Sequence, residues 1–96
     1  IISNIAKVNE KGKSTIKVTG HTDDVPLLFG SQYRDNWDLA AARAASVVQN
    51  LEESQKISSS RLIATSKGET QPIASNQTSA GRSKNRRIEI EINYGK

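Results

Sequence analysis

The chain has 96 residues, with 14 Lys or Arg against 10 Asp or Glu, and a formal net charge of +4. Its length fits one domain with a small core, so we expect residues 1–96 to form a single domain. It has no cysteine, which excludes disulfides, thiolate zinc sites and thiol nucleophiles. No apolar run reaches the ~18–20 residues that cross a bilayer. The positive charge suits nucleic acid, anionic lipid or an acidic polymer, and does not choose among them.

The first third of the chain predicts a helix, a strand and a long loop. Ile1, Ile2, Ile5 and Val8 recur at spacings of three to four, which indicates a short helix or the end of a longer one. Residues 15–20 alternate apolar and polar side chains and predict a strand. Residues 21–35, with Pro26 and Gly30, predict a loop.

A helix is predicted over residues 36–53. Asp35 or Asn36 suits its N-cap, and Asp38 favours the positive end of the helix dipole. The residues that share its apolar stripe are Ala40, Ala44, Val47, Val48 and Leu51. Arg43 lies at the edge of that stripe, and not on the opposite, solvent-facing side.

The last third predicts two strands joined by a polar loop. "RLIATS" at residues 61–66 reads as a strand, residues 67–81 as a loop and residues 79–86 as a short helical turn. "RIEIEINY" at residues 87–94 alternates strictly and predicts a strand with its isoleucines on one side. We therefore expect an α/β fold of the α+β sandwich type, with helices on one face of a small mixed β-sheet.

"VTGHTDD", residues 18–24, ends a strand with an unusual cluster of polar side chains. One histidine and no nucleophile motif argue against an enzyme. His21, Asp23 and Asp24 could ligate a divalent cation, but alternate residues of a strand point to opposite faces. A strand-end histidine that forms hydrogen bonds is the simpler interpretation, so we expect no metal.

Two arginine-containing features suggest ligand sites. A cluster of cationic side chains could contact phosphates, although Glu89 and Glu91 beside it weaken its field: Arg82, Lys84, Arg86 and Arg87. Separately, if the 36–53 helix packs on the first strand, Asp23 and Arg43 can converge. They would then pair with each other, or hold a ligand that carries both a carboxylate and an ammonium.

Four segments, in this order, resemble the landmarks of the OmpA-like C-terminal domain: "VTGHTDD", "NWDLAAARAASVVQNL", "RLIATSKGE" and "PIASNQTSAGRSKNRRIEIEI". The resemblance covers roughly residues 15–94. It is greatest to the MotB/PomB branch, the peptidoglycan-anchoring subunits of flagellar stators. The resemblance implies a non-catalytic domain that binds the diaminopimelate of peptidoglycan stem peptides, without a cofactor.

The resemblance also implies the binding residues. The family's ligand-binding Asp and Arg match Asp23 and Arg43, and diaminopimelate offers them a carboxylate and an ammonium on one carbon. The other positions that match the family's site are Thr22, Asn36, Leu39, Asn85 and Arg86.

The resemblance further implies where such a domain acts. We expect the periplasmic part of an inner-membrane-anchored bacterial protein, with the family's first strand and most of its first helix upstream of Ile1. Peptidoglycan is the expected partner. A homodimer is compatible with the resemblance, as is a MotA-type stator membrane subunit contacted through the upstream region. An outer-membrane protein, a lipoprotein or a secretion-system anchor is the alternative within the family, and a basic nucleic-acid-binding domain is the alternative outside it.

Overall fold

The computed structural model describes residues 14–94, which form a three-stranded mixed sheet and two α-helices. The elements are β1 (Thr15–His21), α1 (Asn36–Ser54), β2 (Leu62–Gly68), α2 (Ser79–Asn85) and β3 (Arg87–Asn93), with a 3-10 turn at Ser59–Arg61. Strand β1 lies in the centre, parallel to β2 and antiparallel to β3. The predicted fold class is confirmed. The helix expected near residues 1–8 lies outside the described residues.

The predicted boundaries differ from the structure by one or two residues at most ends. Strand β1 continues through His21, which pairs with Gly68 and Arg87. Strand β2 begins at Leu62 because Arg61 closes the 3-10 turn, and it runs on to Gly68. Strand β3 ends at Asn93, so Tyr94, which was expected to extend it, lies beyond the strand and is half exposed.

Helix α1 begins where its capping residues predict. The Asp35 side chain accepts a hydrogen bond from the backbone N–H of Asp38 at 2.9 Å, which satisfies one of the free donors of the first turn. The apolar stripe faces the sheet: Ala40, Ala44 and Leu51 are buried, and Val47 and Val48 are partly buried against the core. That core is completed by Ile16, Val18 and Ile57.

Gly20 sets how closely α1 approaches β1. A Cβ atom on Gly20 would lie 2.1 Å from the backbone oxygen of Ala40, well inside van der Waals contact. The absent side chain of Gly20 and the small side chain of Ala40 therefore let the two backbones meet. This contact brings the first half of α1 alongside the end of β1. Among residues 14–94 no helix is long and apolar enough to cross a membrane.

Candidate functional site

The loop that follows β1 is held by backbone groups and by one buried amide. The N–H of Thr22 donates to the oxygen of Gly68 at 2.8 Å, and the Thr22 hydroxyl donates to the Asp23 oxygen at 2.9 Å. Asn36, at the start of α1, donates from Nδ2 to the backbone oxygens of Asp23 and Val25, 3.3 and 3.2 Å away. Thr22 and Asn36 thus fix the backbone around Asp23 and tie it to α1.

Asp23 is buried, with 8% of its surface exposed, and both of its carboxylate oxygens accept hydrogen bonds. Oδ1 accepts from the backbone N–H of Val25 at 3.1 Å, in the short loop that Asp side chains commonly form. Oδ2 accepts from Nη1 of Arg86 at 2.7 Å, a charge-assisted bond across the fold. The carboxylate is therefore held in one orientation.

A cavity of about 360 Å³ opens beside this carboxylate. Its walls come from the loop after β1, the first turns of α1 and one face of α2: Thr22, Asp23, Val25, Pro26, Leu27, Leu28, Asn36, Leu39, Arg43, Arg82 and Arg86. Six of the seven residues expected at the site line this cavity, and Asn85 does not. A volume near the lower end of the range for small-molecule sites suits one side chain of a larger ligand.

Arg43 lines the cavity without a protein partner. Its side chain is exposed, and within residues 14–94 no hydrogen bond or ion pair holds it. The alternative in which Asp23 and Arg43 simply pair with each other is wrong, because Asp23 pairs with Arg86. The cavity thus contains a fixed carboxylate and a guanidinium whose donors no residue between Ser14 and Tyr94 uses.

Helix α2 has one structural face and one face in the cavity. Gly81 and Asn85, four residues apart, face the 73–76 loop; a Cβ on Gly81 would lie 1.8 Å from the Ser75 oxygen. Asn85 is fully buried and accepts from the N–H groups of Ile73 and Ala74 at 2.8 and 3.0 Å. Its Nδ2 donates to the Ala74 oxygen and to Oδ1 of Asn76, at 3.0 and 2.7 Å. Asn85 therefore holds a loop and is not a cavity residue.

The cavity side of this segment carries two arginines. Arg82, on α2, and Arg86, the residue that caps its C-terminus, are also four residues apart, and both line the cavity. From the sequence, Arg82 was expected in the cationic cluster and not in a cavity wall. The i, i+4 spacing from Arg86 was the available signal. The apolar wall from Val25 to Leu28 was missed too, since nothing local shows which way a loop folds.

The tip of that loop projects into solvent. The Ser31 N–H donates to the Leu28 oxygen at 3.0 Å and Gly30 has φ of 89°, the left-handed conformation that a tight turn needs at this position. The Leu28 side chain is 85% exposed and that of Phe29 is fully exposed. Leu28 and Phe29 are therefore not packed on the core.

His21 does not belong to the cavity. It is buried at the end of β1, with its Nε2 3.3 Å from Oε1 of Glu89 on β3. Burial lowers the pKa of His21 below its usual 6.5, and the positive charge of Arg87 lowers it further. No group of three His, Cys, Asp or Glu side chains within residues 14–94 is placed to hold a metal ion.

The cationic cluster is divided in the structure. Arg82 and Arg86 line the cavity, whereas Arg87 bonds to Glu89 at 2.7 Å and to the Gln71 oxygen at 3.0 Å. The hydrogen bond from Arg87 lowers the pKa of Glu89 below its usual 4.5. Only Lys84 of the four is exposed away from these partners, so the cluster does not form the continuous basic face that the nucleic-acid alternative requires.

The sequence is similar to curated bacterial proteins of motility and of the outer membrane. The sequence is 40% identical over 91 residues to Motility protein B of Bacillus subtilis (strain 168), covering 95% of this chain and 34% of that protein. The chain spans between about a fifth and two fifths of the length of curated relatives that it matches.

Solved structures agree with the sequence comparison. The C-terminal domain of Helicobacter pylori MotB superposes with a TM-score of 0.81 at 36% identity, over 96% of this chain and 70% of that one. A structure of the periplasmic domain of the same protein gives 0.78 at 36% identity, over 95% and 56%. The cell wall anchor of the T6SS from Pseudomonas aeruginosa gives 0.78 at 34% identity, over 99% and 64%.

The sequence model of the OmpA family matches residues 1–86. That range includes the loop after β1, all of α1 and all of α2, and hence every residue that lines the cavity. The chain belongs to the OmpA family.

Proposed function

We propose that residues 1–96 form a domain that binds peptidoglycan without cleaving it, and so anchors a larger envelope protein to the cell wall. The observation that carries this proposal is that Asp23 and Arg43 line one cavity, the first held in place and the second unpaired among residues 14–94. Further support comes from the relatives, one of which is described as a cell wall anchor.

Diaminopimelate is the proposed ligand group. Its free end carries an ammonium and a carboxylate on one carbon. The charges of this zwitterion are complementary to those of Asp23 and Arg43. Arg43 would take the carboxylate with two parallel N–H donors, while Asp23 would accept from the ammonium. Thr22, Asn36 and Arg86 would orient Asp23, and Leu39 would contact the aliphatic part of the ligand.

The proposal extends to the protein that contains this domain. Identity of 40% to Motility protein B favours a flagellar stator subunit, periplasmic at this domain and anchored in the inner membrane through its upstream part. A second copy of the chain and a MotA-type membrane subunit would then be its protein partners. A single transmembrane helix bearing an Asp, upstream of Ile1, would support the stator over another envelope anchor.

Co-sedimentation with insoluble peptidoglycan tests the site. Arg43→Ala and Asp23→Asn should each weaken binding by at least ~30-fold, since the loss of one partner of a charge pair costs roughly 2 kcal/mol or more. Arg34→Ala is the matched control, because Arg34 is an exposed arginine that does not line the cavity. Circular dichroism should show an unchanged fold for all three variants.

A cell wall with lysine in place of diaminopimelate supplies the second control, since lysine lacks the extra carboxylate. Equal binding of the wild-type domain to both walls, or normal binding by folded Arg43→Ala, would contradict the proposed site. Release of soluble fragments from peptidoglycan by the pure protein would contradict the binding-only function.

A further inference from the structure

The third arginine of the cavity has no role in the site as proposed above. Arg82 lies on α2, four residues before Arg86 at the helix C-cap, and is partly buried in the cavity wall. Its Nη1 donates to the backbone oxygen of Asn76 at 3.0 Å. A guanidinium has five N–H donors, and this is the one hydrogen bond that the side chain of Arg82 makes within residues 14–94. The bond fixes the guanidinium and leaves most of its donors available.

The helix that carries Arg82 is itself rigidly placed. The Thr78 hydroxyl accepts from the Gly81 N–H at 3.0 Å at the start of α2. Asn85 and the close contact of Gly81 with Ser75 attach the opposite face to the 73–76 loop. Arg82 is thus presented from a fixed helix, which reduces the entropy lost when a ligand binds.

The charges of the cavity wall are not balanced. Three arginines, Arg43, Arg82 and Arg86, face one aspartate, Asp23, so the wall has two more positive than negative charges. Glu69 accepts from Asn36 at 3.3 Å but does not line the cavity. A diaminopimelate zwitterion adds no net charge and would leave this excess unchanged. A ligand with a second free carboxylate would reduce it.

We infer that Arg82 binds a second carboxylate of the ligand, so that the domain selects stem peptides with one ammonium and at least two free carboxylates. This inference rests on the proposed function, because Arg43 and Asp23 hold the zwitterion. The second carboxylate has two sources within a stem peptide: the main-chain carboxylate of diaminopimelate at the end of a tripeptide, and the α-carboxylate of the preceding glutamate.

Isothermal titration calorimetry with three synthetic tripeptides separates these sources. One peptide has every carboxylate free, one is amidated at the main-chain terminus and one is amidated at the glutamate; all three keep the diaminopimelate zwitterion. We expect one of the two amidations to weaken binding to the wild-type domain by about tenfold, the usual scale for a charge-assisted hydrogen bond. Arg82→Gln should bind the free peptide about as weakly as the wild type binds that amide, and should lose the discrimination.

Two variants of α2 control this measurement. Lys84→Gln removes the same charge from an exposed side chain of the same helix and should keep the wild-type discrimination. Arg82→Lys keeps the charge without the planar pair of donors and should fall between wild type and Arg82→Gln. Thermal unfolding of each variant reports whether the lost contact with Asn76 alters the fold.

The outcomes distinguish the two proposals. If neither amidation weakens wild-type binding, or if folded Arg82→Gln still discriminates, the second-carboxylate inference is wrong while the zwitterion site stands. If no tripeptide binds the wild-type domain better than its lysine analogue, the proposed function fails, and this inference fails with it.

Discussion

The two faces of α2 show how differently a short helix can use residues four apart. On one face, Gly81 and Asn85 are buried, and each polar atom of the Asn85 amide has a partner within the chain. On the other face, Arg82 and Arg86 line the cavity, and Arg82 retains donors that no described residue uses. On the structural face the polar atoms are satisfied by protein partners, whereas on the candidate binding face donors remain for a ligand. The same criterion separates Arg87, bonded to three acceptors, from Arg43.

The largest effect is expected from the structural face. Asn85→Ala would leave the N–H groups of Ile73 and Ala74 and the Ala74 oxygen without their partner. We expect the free energy of unfolding to fall by roughly 2–4 kcal/mol, as for other buried polar groups deprived of partners. Urea denaturation measures this change.

Two variants sharpen that comparison. Asn85→Asp keeps the acceptor for the two N–H groups but sets a buried carboxylate oxygen against the acceptor oxygens of Ala74 and Asn76, so it should be destabilised at least as much as Asn85→Ala. Lys84→Ala, on an exposed position of α2, should change stability by no more than about 0.5 kcal/mol. Equal stability of Asn85→Ala and Lys84→Ala would show that the two faces do not differ as described.

A smaller effect is expected from the buried end of β1. Folding lowers the pKa of His21. Once the pH falls below about 6.5, the imidazole is therefore protonated more readily in the unfolded chain than in the folded one. Stability should therefore decrease from pH 6.5 downward, until the folded-state pKa is passed. The lowered pKa of Glu89 acts in the same direction below about pH 4.5.

Proton NMR measures the His21 contribution directly, because His21 is the only histidine of the sequence. The imidazole resonance should titrate with a midpoint below 6.5 in the folded protein, and unfolding midpoints in urea should drop over the same pH range. A midpoint at or above 6.5 would show that burial and the positive charge of Arg87 do not determine the pKa of His21.

The elements of the fold follow from local patterns, whereas the connections within the site do not. Spacing of Ala40, Ala44 and Leu51 was enough to predict α1 and its buried face, and strict alternation predicted β3. Asp35 or Asn36 was predicted as the N-cap, and the structure has Asp35 there; a cap depends only on residues close together in sequence. These signals are local, so they survive without knowledge of the tertiary structure.

The ion pair of Asp23 shows what local patterns omit. Its partner, Arg86, is 63 residues away in sequence, and the choice between Arg86 and Arg43 depends on how α1 and α2 pack. Gly20 was predicted only as part of a strand, although its missing side chain sets the distance between β1 and α1. Asn85 was expected near the ligand because it matches a residue of the family's site, but it is buried on the face of α2 that contacts the 73–76 loop.

The most direct test compares Arg43 with Arg87 in one experiment. In a protein labelled with nitrogen-15, the Nε–Hε resonances of individual arginines can be followed while a diaminopimelate tripeptide is added. If the cavity binds the zwitterion, the Arg43 resonance should shift with the added peptide and that of Arg86 should follow, because the ammonium approaches its partner Asp23. The Arg87 resonance should stay in place, since its donors are already bonded to Glu89, Asn85 and Gln71. A shift of Arg87 with Arg43 unmoved would contradict the proposed site.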